Sequence, residues 1–204
     1  MKYGRLHWFL REELDDRQRD YYDQLMAGPR DSSSLADDKG RLFGAFNPRL
    51  LDPPVGTAIQ ELGAALRFGA QLPARSREIV ILEVARSERC EYEWSAHVKA
   101  ARKAGLSETE IEAVRTGAIT PSLSAQEAVV RLITQALATG GDLSDEQFAV
   151  AEQTIGLVQL FDVISLVGHY QHTAMALRVW RTPPRDSSSP AFAPLADGGA
   201  DDLA

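Results

Sequence analysis

The chain has 204 residues, 44% of them hydrophobic, with a formal net charge of −7 and a pI of about 5.1. That length supports one domain with a real core, and the acidic balance excludes the basic face a nucleic-acid binder needs to displace counterions. A single cysteine excludes an internal disulfide, the N-terminus MKYGRLHWFLREELDD turns acidic too early for a signal peptide, and no stretch reads as long and apolar enough to span a membrane. The expectation is a soluble cytoplasmic protein with neither membrane nor nucleic acid as partner.

In chain order, helices are predicted at 13–27, 54–70, 74–89, 91–104, 108–116, 125–139, 145–155 and 157–181. Residues 30–40, RDSSSLADDKG, are polar and turn-rich. With Pro48 and Pro53-Pro54 downstream, the composition of 28–56 suggests a lid. Three helix starts carry capping boxes: Ser107-x-x-Glu110, Ser124-x-x-Glu127 and Ser144-x-x-Gln147. Leu106 with Ile111 and Leu143 with Phe148 supply hydrophobic staples. Gly105, Gly117 and Gly140-Gly141 stop the preceding helices. IVILEVA, residues 79–85, is apolar nearly all round, so its helix belongs at the centre. No β-hairpin signature is visible. The fold class is all-α, with short connections packing neighbouring helices antiparallel. Residues 1–181 form the single helical domain, and 182–204, TPPRDSSSPAFAPLADGGADDLA, has the composition of a disordered tail.

Residues 90–107, CEYEWSAHVKAARKAGLS, carry the chemistry-bearing residues. At about 100° per residue, Cys90, Glu93 and His97 form one stripe. Glu93 and His97, at i and i+4, can touch, and a carboxylate against an imidazole fixes its tautomer and raises its basicity. The plain alternative is an exposed surface pair. Glu78 opens the preceding helix on a face shared with Ile81, Leu82 and Ala85, where a carboxylate is costly to bury unless paired or protonated. In a helical hairpin it could approach His97. Glu83 falls on another face, near Arg86, and reads as a partly solvated ion-pair residue. Cys90 gains activation from a helix N-terminus, but Glu91 and Glu93 disfavour a thiolate, so it reads as structural. Asp162, Ser165, His169 and His172 form a polar stripe on the last helix, lining a pocket, an interface or solvent. Zinc or iron would suit such ligands, but nothing in the spacing requires a metal, and none is expected.

Glu78 … Cys90-x-x-Glu93-x-x-x-His97, followed by Ala100-Ala101 and Gly105-Leu106-Ser107, resembles the carboxymuconolactone decarboxylase and alkylhydroperoxidase D superfamily. GRLFGAFNPRLLDPPVG (40–56) and Gly168-x-Tyr170 resemble one branch of it. The resemblance spans roughly 15–181. It implies an alkylhydroperoxidase D-like helical bundle around a central helical hairpin, assembled into trimers or hexamers. The peroxidase branch uses Cys-x-x-Cys-x-x-x-His and an upstream glutamate. The decarboxylase branch uses glutamate and histidine on a small lactone acid, with no cofactor. Here Glu93 stands where the peroxide-attacking thiol would be, and a carboxylate cannot do that chemistry.

Three functions follow as expectations. The first is a cofactor-independent acid/base enzyme acting on a small carboxylic acid or lactone. His97, oriented by Glu93, would be catalytic, and Glu78 would be the second acid/base group. Tyr170, His169 and Trp94 are candidate substrate-binding residues, and Arg41, Arg49 and Arg77 are candidates to grip a carboxylate. The second is a single-cysteine, peroxiredoxin-like protein using Cys90 and an external thiol. The third is a non-catalytic binder of a small ligand.

Overall fold

The computed structural model describes residues 1–119, 122–185 and 190–192. A two-stranded hairpin, β1 (Lys2–Tyr3) and β2 (Leu6–His7), comes first. There follow α1 (Asp16–Met26), α2 (Ser32–Leu35), α3 (Phe46–Arg49), α4 (Pro53–Phe68), α5 (Ala74–Ser87), α6 (Glu91–Lys103), α7 (Glu108–Thr116), α8 (Ala125–Gly140) and α9 (Asp145–Val179). All the expected helices form, with ends shifted by a few residues. Helix α1 starts late because Arg11–Glu13 coil as a 3₁₀ turn and Asp15 then caps the helix, accepting from the Gln18 N–H. The three serine capping boxes close as their spacing requires. Of the two staples, Leu106 and Ile111 share one buried cluster, whereas Phe148 is left exposed. Helix α9 bends at Gly156 (φ 78°, ψ 163°), a conformation open to glycine and strained for other residues, so it is two helical pieces end to end.

The hairpin was not legible because each strand is only two residues long. It is tied to the end of α9, where the Arg5 N–H donates to the Trp180 carbonyl. Gly4, at φ +72°, lies so close to the Trp180 and Arg181 carbonyls that any side chain there would collide with them.

Helix α5 is the hub and packs on α6, α7, α8 and α9. Ile79 to Val84 are all essentially solvent-free, and each large aliphatic side chain so buried contributes about 1.5–3 kcal/mol. Its two faces serve two cores. Val80, Ile81 and Val84 pack with α8 and α9 around Val130, Ile133, Val163 and Leu166. Ile79, Leu82 and Ala85 pack with α6 and α7 around Trp94, Ala101 and Ile111. Residues 28–56 belong to a third cluster, in which Leu35, Leu42 and Leu50 join Tyr21, Tyr22 and Leu25 of α1. The segment is a cap with its own core, laid on the bundle by α1 and α3 against α4.

One window of α9 is long and apolar enough to cross a membrane, with a mean hydropathy of 1.4, contrary to the reading of the sequence. Its inner face is the centre of the first core and also carries Asp162, His169 and Tyr170. Of the proposed tail, the described residues are held: the Arg185 guanidinium donates to the Ser33 and Ser34 carbonyls, and the Ala191 and Phe192 N–H groups donate to the Glu91 carboxylate. Residues 186–189 and 193–204 lie outside the described residues.

Candidate active site

Helices α5 and α6 form an antiparallel hairpin through a three-residue corner. Arg89 takes a left-handed conformation there (φ 49°), and the Cys90 N–H closes back on the Ala85 carbonyl at 2.8 Å. This turn brings the first turn of α5 beside the middle of α6. Glu78 and His97 therefore meet across the hairpin: His97 Nδ1 lies 2.8 Å from Glu78 Oε2. Glu93, one turn before His97, lies 3.5 Å from the other ring nitrogen, Nε2. All three side chains are buried. The Tyr170 ring of α9 stands edge-on to the imidazole, centroids 5.2 Å apart. His169 packs against the same tyrosine at 5.3 Å.

The geometry exchanges the carboxylate roles expected from spacing. The group that holds the imidazole by a short hydrogen bond is Glu78, from the neighbouring helix. The i, i+4 partner Glu93 makes the longer contact.

The environments of the two glutamates diverge. Burial pushes both upward. For Glu78 the hydrogen bond and charge of His97, with Arg67 and Arg77, outweigh burial and leave the carboxyl below its ordinary range. Arg77 Nε is 3.6 Å from Glu78 Oε1. For Glu93 burial wins over His97, Arg49 and Arg67, and the carboxyl is raised. Two carboxyl groups pushed apart around one imidazole are an acid/base arrangement: Glu78 stays charged and anchors Nδ1, while Glu93 holds a proton more readily near Nε2.

Cys90 lies apart from this proton chemistry. It is buried among Ala45, Tyr92, Ala174 and Leu177. Burial, then the Glu93 charge, push its thiol up to about 12. At neutral pH it is a protonated, enclosed thiol, the inert kind.

The remaining expected residues separate. Trp94 sits in the α5–α6–α7 core, edge-on to Phe192 at 5.2 Å. Asp162 caps the α4–α5 turn, accepting from the Gln71 and Leu72 N–H groups at 2.9 and 3.1 Å. His172 lines a cavity of about 170 Å³ between α4 and α9, walled also by Arg49, Val55, Ile59, Ala176 and Trp180. Arg41 is paired with Asp37 and stacked on Trp8, so it is structural. Glu83 is fully buried, not partly solvated: besides Arg86, it accepts from Arg131 and Gln135 of α8, partners too distant in sequence to foresee. Sequence reading missed Arg30, Arg67 and Tyr21, whose charges or hydroxyl act on this site. Nothing local in RDSSS or in α1 signals that role; it depends on how the cap docks.

An all-helical bundle organised on a two-helix hairpin that carries a buried Glu–His–Glu cluster defines an alkylhydroperoxidase D-like class of protein. Residues 53–136, which hold Glu78, Cys90, Glu93 and His97, match the carboxymuconolactone decarboxylase family model. That match covers the α4–α8 region, and the fold of the whole chain is that of alkylhydroperoxidase D-like helical proteins. Among solved structures, a peroxidase-related protein from Ralstonia eutropha JMP134 with an alkylhydroperoxidase AhpD core is similar at 13% identity, over 91% of this chain and 94% of that one, with a TM-score of 0.72. A peroxidase-related protein from Silicibacter sp. TM1040 is similar at 16% identity, over 90% and 93%, with a TM-score of 0.69. A cysteine-to-alanine variant of the debrominase Bmp8, in complex with 2,3,4-tribromopyrrole, is similar at 11% identity, over 90% and 91%, with a TM-score of 0.64. At these identities the likeness shows a shared fold. No curated protein matches this chain in sequence.

Proposed function

We propose that the protein is a cofactor-independent acid/base enzyme of the decarboxylase style, acting on a small carboxylic acid or lactone. The observation that carries this reading is the His97 imidazole held between two carboxyl groups of opposite tendency, at 2.8 and 3.5 Å. Glu78 fixes Nδ1–H and so leaves Nε2 as the working nitrogen. Nε2, with Glu93 beside it, moves a proton to or from a carbon next to a carbonyl. If carbon dioxide leaves, the electron pair of the broken C–C bond passes into the adjoining π-system as a dienolate. The site then returns a proton to one carbon. Lactone hydrolysis, dehydration or isomerisation would use the same groups. The thiol alternative finds no support in Cys90, which is enclosed, protonated and without a second cysteine.

We also propose that the chain is a homo-oligomer. Leu157, Phe161, Ile164 and Met175 leave a stripe of α9 apolar and exposed, the kind of face that assembly covers. Analytical ultracentrifugation decides it; a monomer at micromolar concentration rules it out.

The test of the catalytic reading is turnover of a panel of small lactone acids, followed by NMR in deuterated water. His97→Ala and Glu78→Gln are each expected to lower the rate by about 10²–10⁴-fold. Unchanged turnover in both variants sinks the reading. So does peroxide consumption by the wild type that Cys90→Ser abolishes.

A further inference from the structure

Five other buried or half-buried arginines of this protein have close carboxylate partners. Arg131 and Arg86 meet Glu83, Arg75 meets Glu110 and Glu127, Arg41 meets Asp37, and Arg178 meets Glu88. Arg30 and Arg49 break the pattern. Neither forms an ion pair among the described residues, and both guanidiniums lean on one ring, Phe46, at 5.8 and 5.0 Å from its centroid. Arg30 Nη1 is buried with no hydrogen-bond partner. Besides the Tyr21 hydroxyl near it, Arg49 has a marginal 3.5 Å contact to Gln60 Oε1. The Tyr21 hydroxyl beside it is also buried with no well-formed hydrogen bond. Burial makes both guanidiniums harder to keep charged; Arg49 and Arg67 add to this at Arg30, and Tyr21, Glu93 and Tyr170 only partly offset it at Arg49. Two half-buried cations on one ring with unused donors are costly in an empty protein and favourable around an anion.

The surroundings fit a ligand. Gly63 of α4 lets His169 and Arg30 pack close against the helix, since a Cβ there would stand 2.9 Å from His169 Nε2 and 3.4 Å from Arg30 Nη2. Burial first, then Arg49, His172 and Arg30, hold His169 down at about 4, so near neutral pH it is an uncharged ring with one N–H to donate. Arg49 is electrostatically coupled to Glu93 and Tyr170, which places the cationic cluster beside the proton-transfer groups. Arg49 also walls the 170 Å³ cavity, whose other lining includes Val55, Ile59, Ala176 and Trp180. A cavity of about 150 Å³ accommodates a benzene ring.

We propose that Arg30 and Arg49, with the Tyr21 hydroxyl, form the anion-binding subsite of this enzyme, which takes the carboxylate of a small acid with an apolar body about one ring in size. The proposal rests on the acid/base reading of the Glu78–His97–Glu93 cluster and assigns the groups that hold its substrate. The cap supplies the anion grip, the α5–α6 hairpin supplies the proton chemistry, and α9 joins them through His169 and Tyr170.

The experiment is calorimetric titration and thermal melting of the full chain with benzoate, with benzamide as its neutral counterpart and inorganic phosphate as a bare anion. Benzoate is expected to bind at least about tenfold tighter than benzamide and to weaken as salt rises from about 50 to 500 mM. Arg30→Gln and Arg49→Gln are each expected to lower benzoate affinity by about tenfold or more, with the lysine variants intermediate. Ligand-free, both glutamine variants melt at or above the wild type, because each removes a half-buried charge with no ion-pair partner among the described residues. Glu78→Gln and His97→Ala keep benzoate affinity within about threefold while losing turnover, which separates a failure of the anion site from a failure of the catalytic reading. Benzoate bound no better than benzamide overturns the proposal without any variant. So does phosphate bound more tightly than benzoate, full affinity in both glutamine variants, or ligand-free variants that melt well below the wild type.

Discussion

Helix α5 buries two glutamates, five residues apart and each about 1% exposed, and the protein treats them in opposite ways. Glu83 is saturated. One oxygen accepts from Arg131 Nε at 2.5 Å and Gln135 at 3.0 Å, and the other accepts twice from Arg86. Arg131 in turn donates to the Ala113 and Ala118 carbonyls, tying α5 and α8 to the end of α7. Glu78 has one hydrogen bond, from a residue that can change its charge, and a looser arginine at 3.6 Å. A carboxylate with all four accepting positions filled serves as a rivet. One paired with an imidazole, next to a second carboxyl pushed the other way, can exchange protons. The distinction between scaffold and site lies in the partners; burial is the same for both.

The largest expected effect breaks the rivet. Glu83→Ala strands Arg131 in the core without its counter-charge and should cost about 3–5 kcal/mol, read from urea unfolding. Glu78→Gln keeps a hydrogen-bond acceptor at the same place and should cost about 1 kcal/mol, while removing turnover. If the two substitutions cost the same stability, the division of labour drawn here is wrong.

Much of this was legible from the chain. The capping serines, the stop glycines and the all-round apolar IVILEVA run mark the helices from α5 to α9 and the central position of α5, because those signals are local. The Glu78–His97 approach followed from assuming that α5 and α6 form a hairpin. What could not be read depends on distant partners. Glu83 looks solvated until Arg131, 48 residues on, is folded against it. Arg30 sits in a polar run that resembles a loop, and only the docking of the cap on α4 and α9 brings it over Gly63. Asp162, read as part of a polar stripe, caps a turn 90 residues upstream.

Within the site the two glutamates should give opposite pH slopes. The Glu93 carboxyl is raised above its ordinary 4.5, so the folded state holds a proton that the unfolded chain releases. Its contribution is fully present below that value and is lost as pH rises through the folded one. Glu78 is lowered, so its contribution is present above 4.5 and is lost as pH falls. Melting across about pH 3–8 should therefore show Glu93→Gln gaining on the wild type as pH rises, by at most about 1.4 kcal/mol per pH unit. Glu78→Gln should fall behind the wild type over the same rise, since it lacks the stabilising charge. Parallel curves for the two variants would show that these carboxyl groups titrate alike, and the acid/base assignment would fall with them.

The smallest expected effect concerns the residue that stands out most in the sequence. Cys90 stands at the start of α6 without a side-chain capping bond and packs with Ala174 and Leu177, so Cys90→Ala removes one sulfur from a small cluster and should cost about 1 kcal/mol at neutral pH. Its thiol is raised from an ordinary 9.0 to about 12. The protonated thiol therefore favours the folded state, and that contribution is lost as pH rises from the lower of these values through the higher. The variant should thus close its deficit in strongly alkaline solution. Turnover should be unchanged, and native wild type should react with an aromatic disulfide reagent only as fast as the α5–α6 corner opens. Rapid labelling of the folded protein near neutral pH would place a reachable thiolate two turns from His97. Thiol chemistry would then have to be weighed again beside proton transfer.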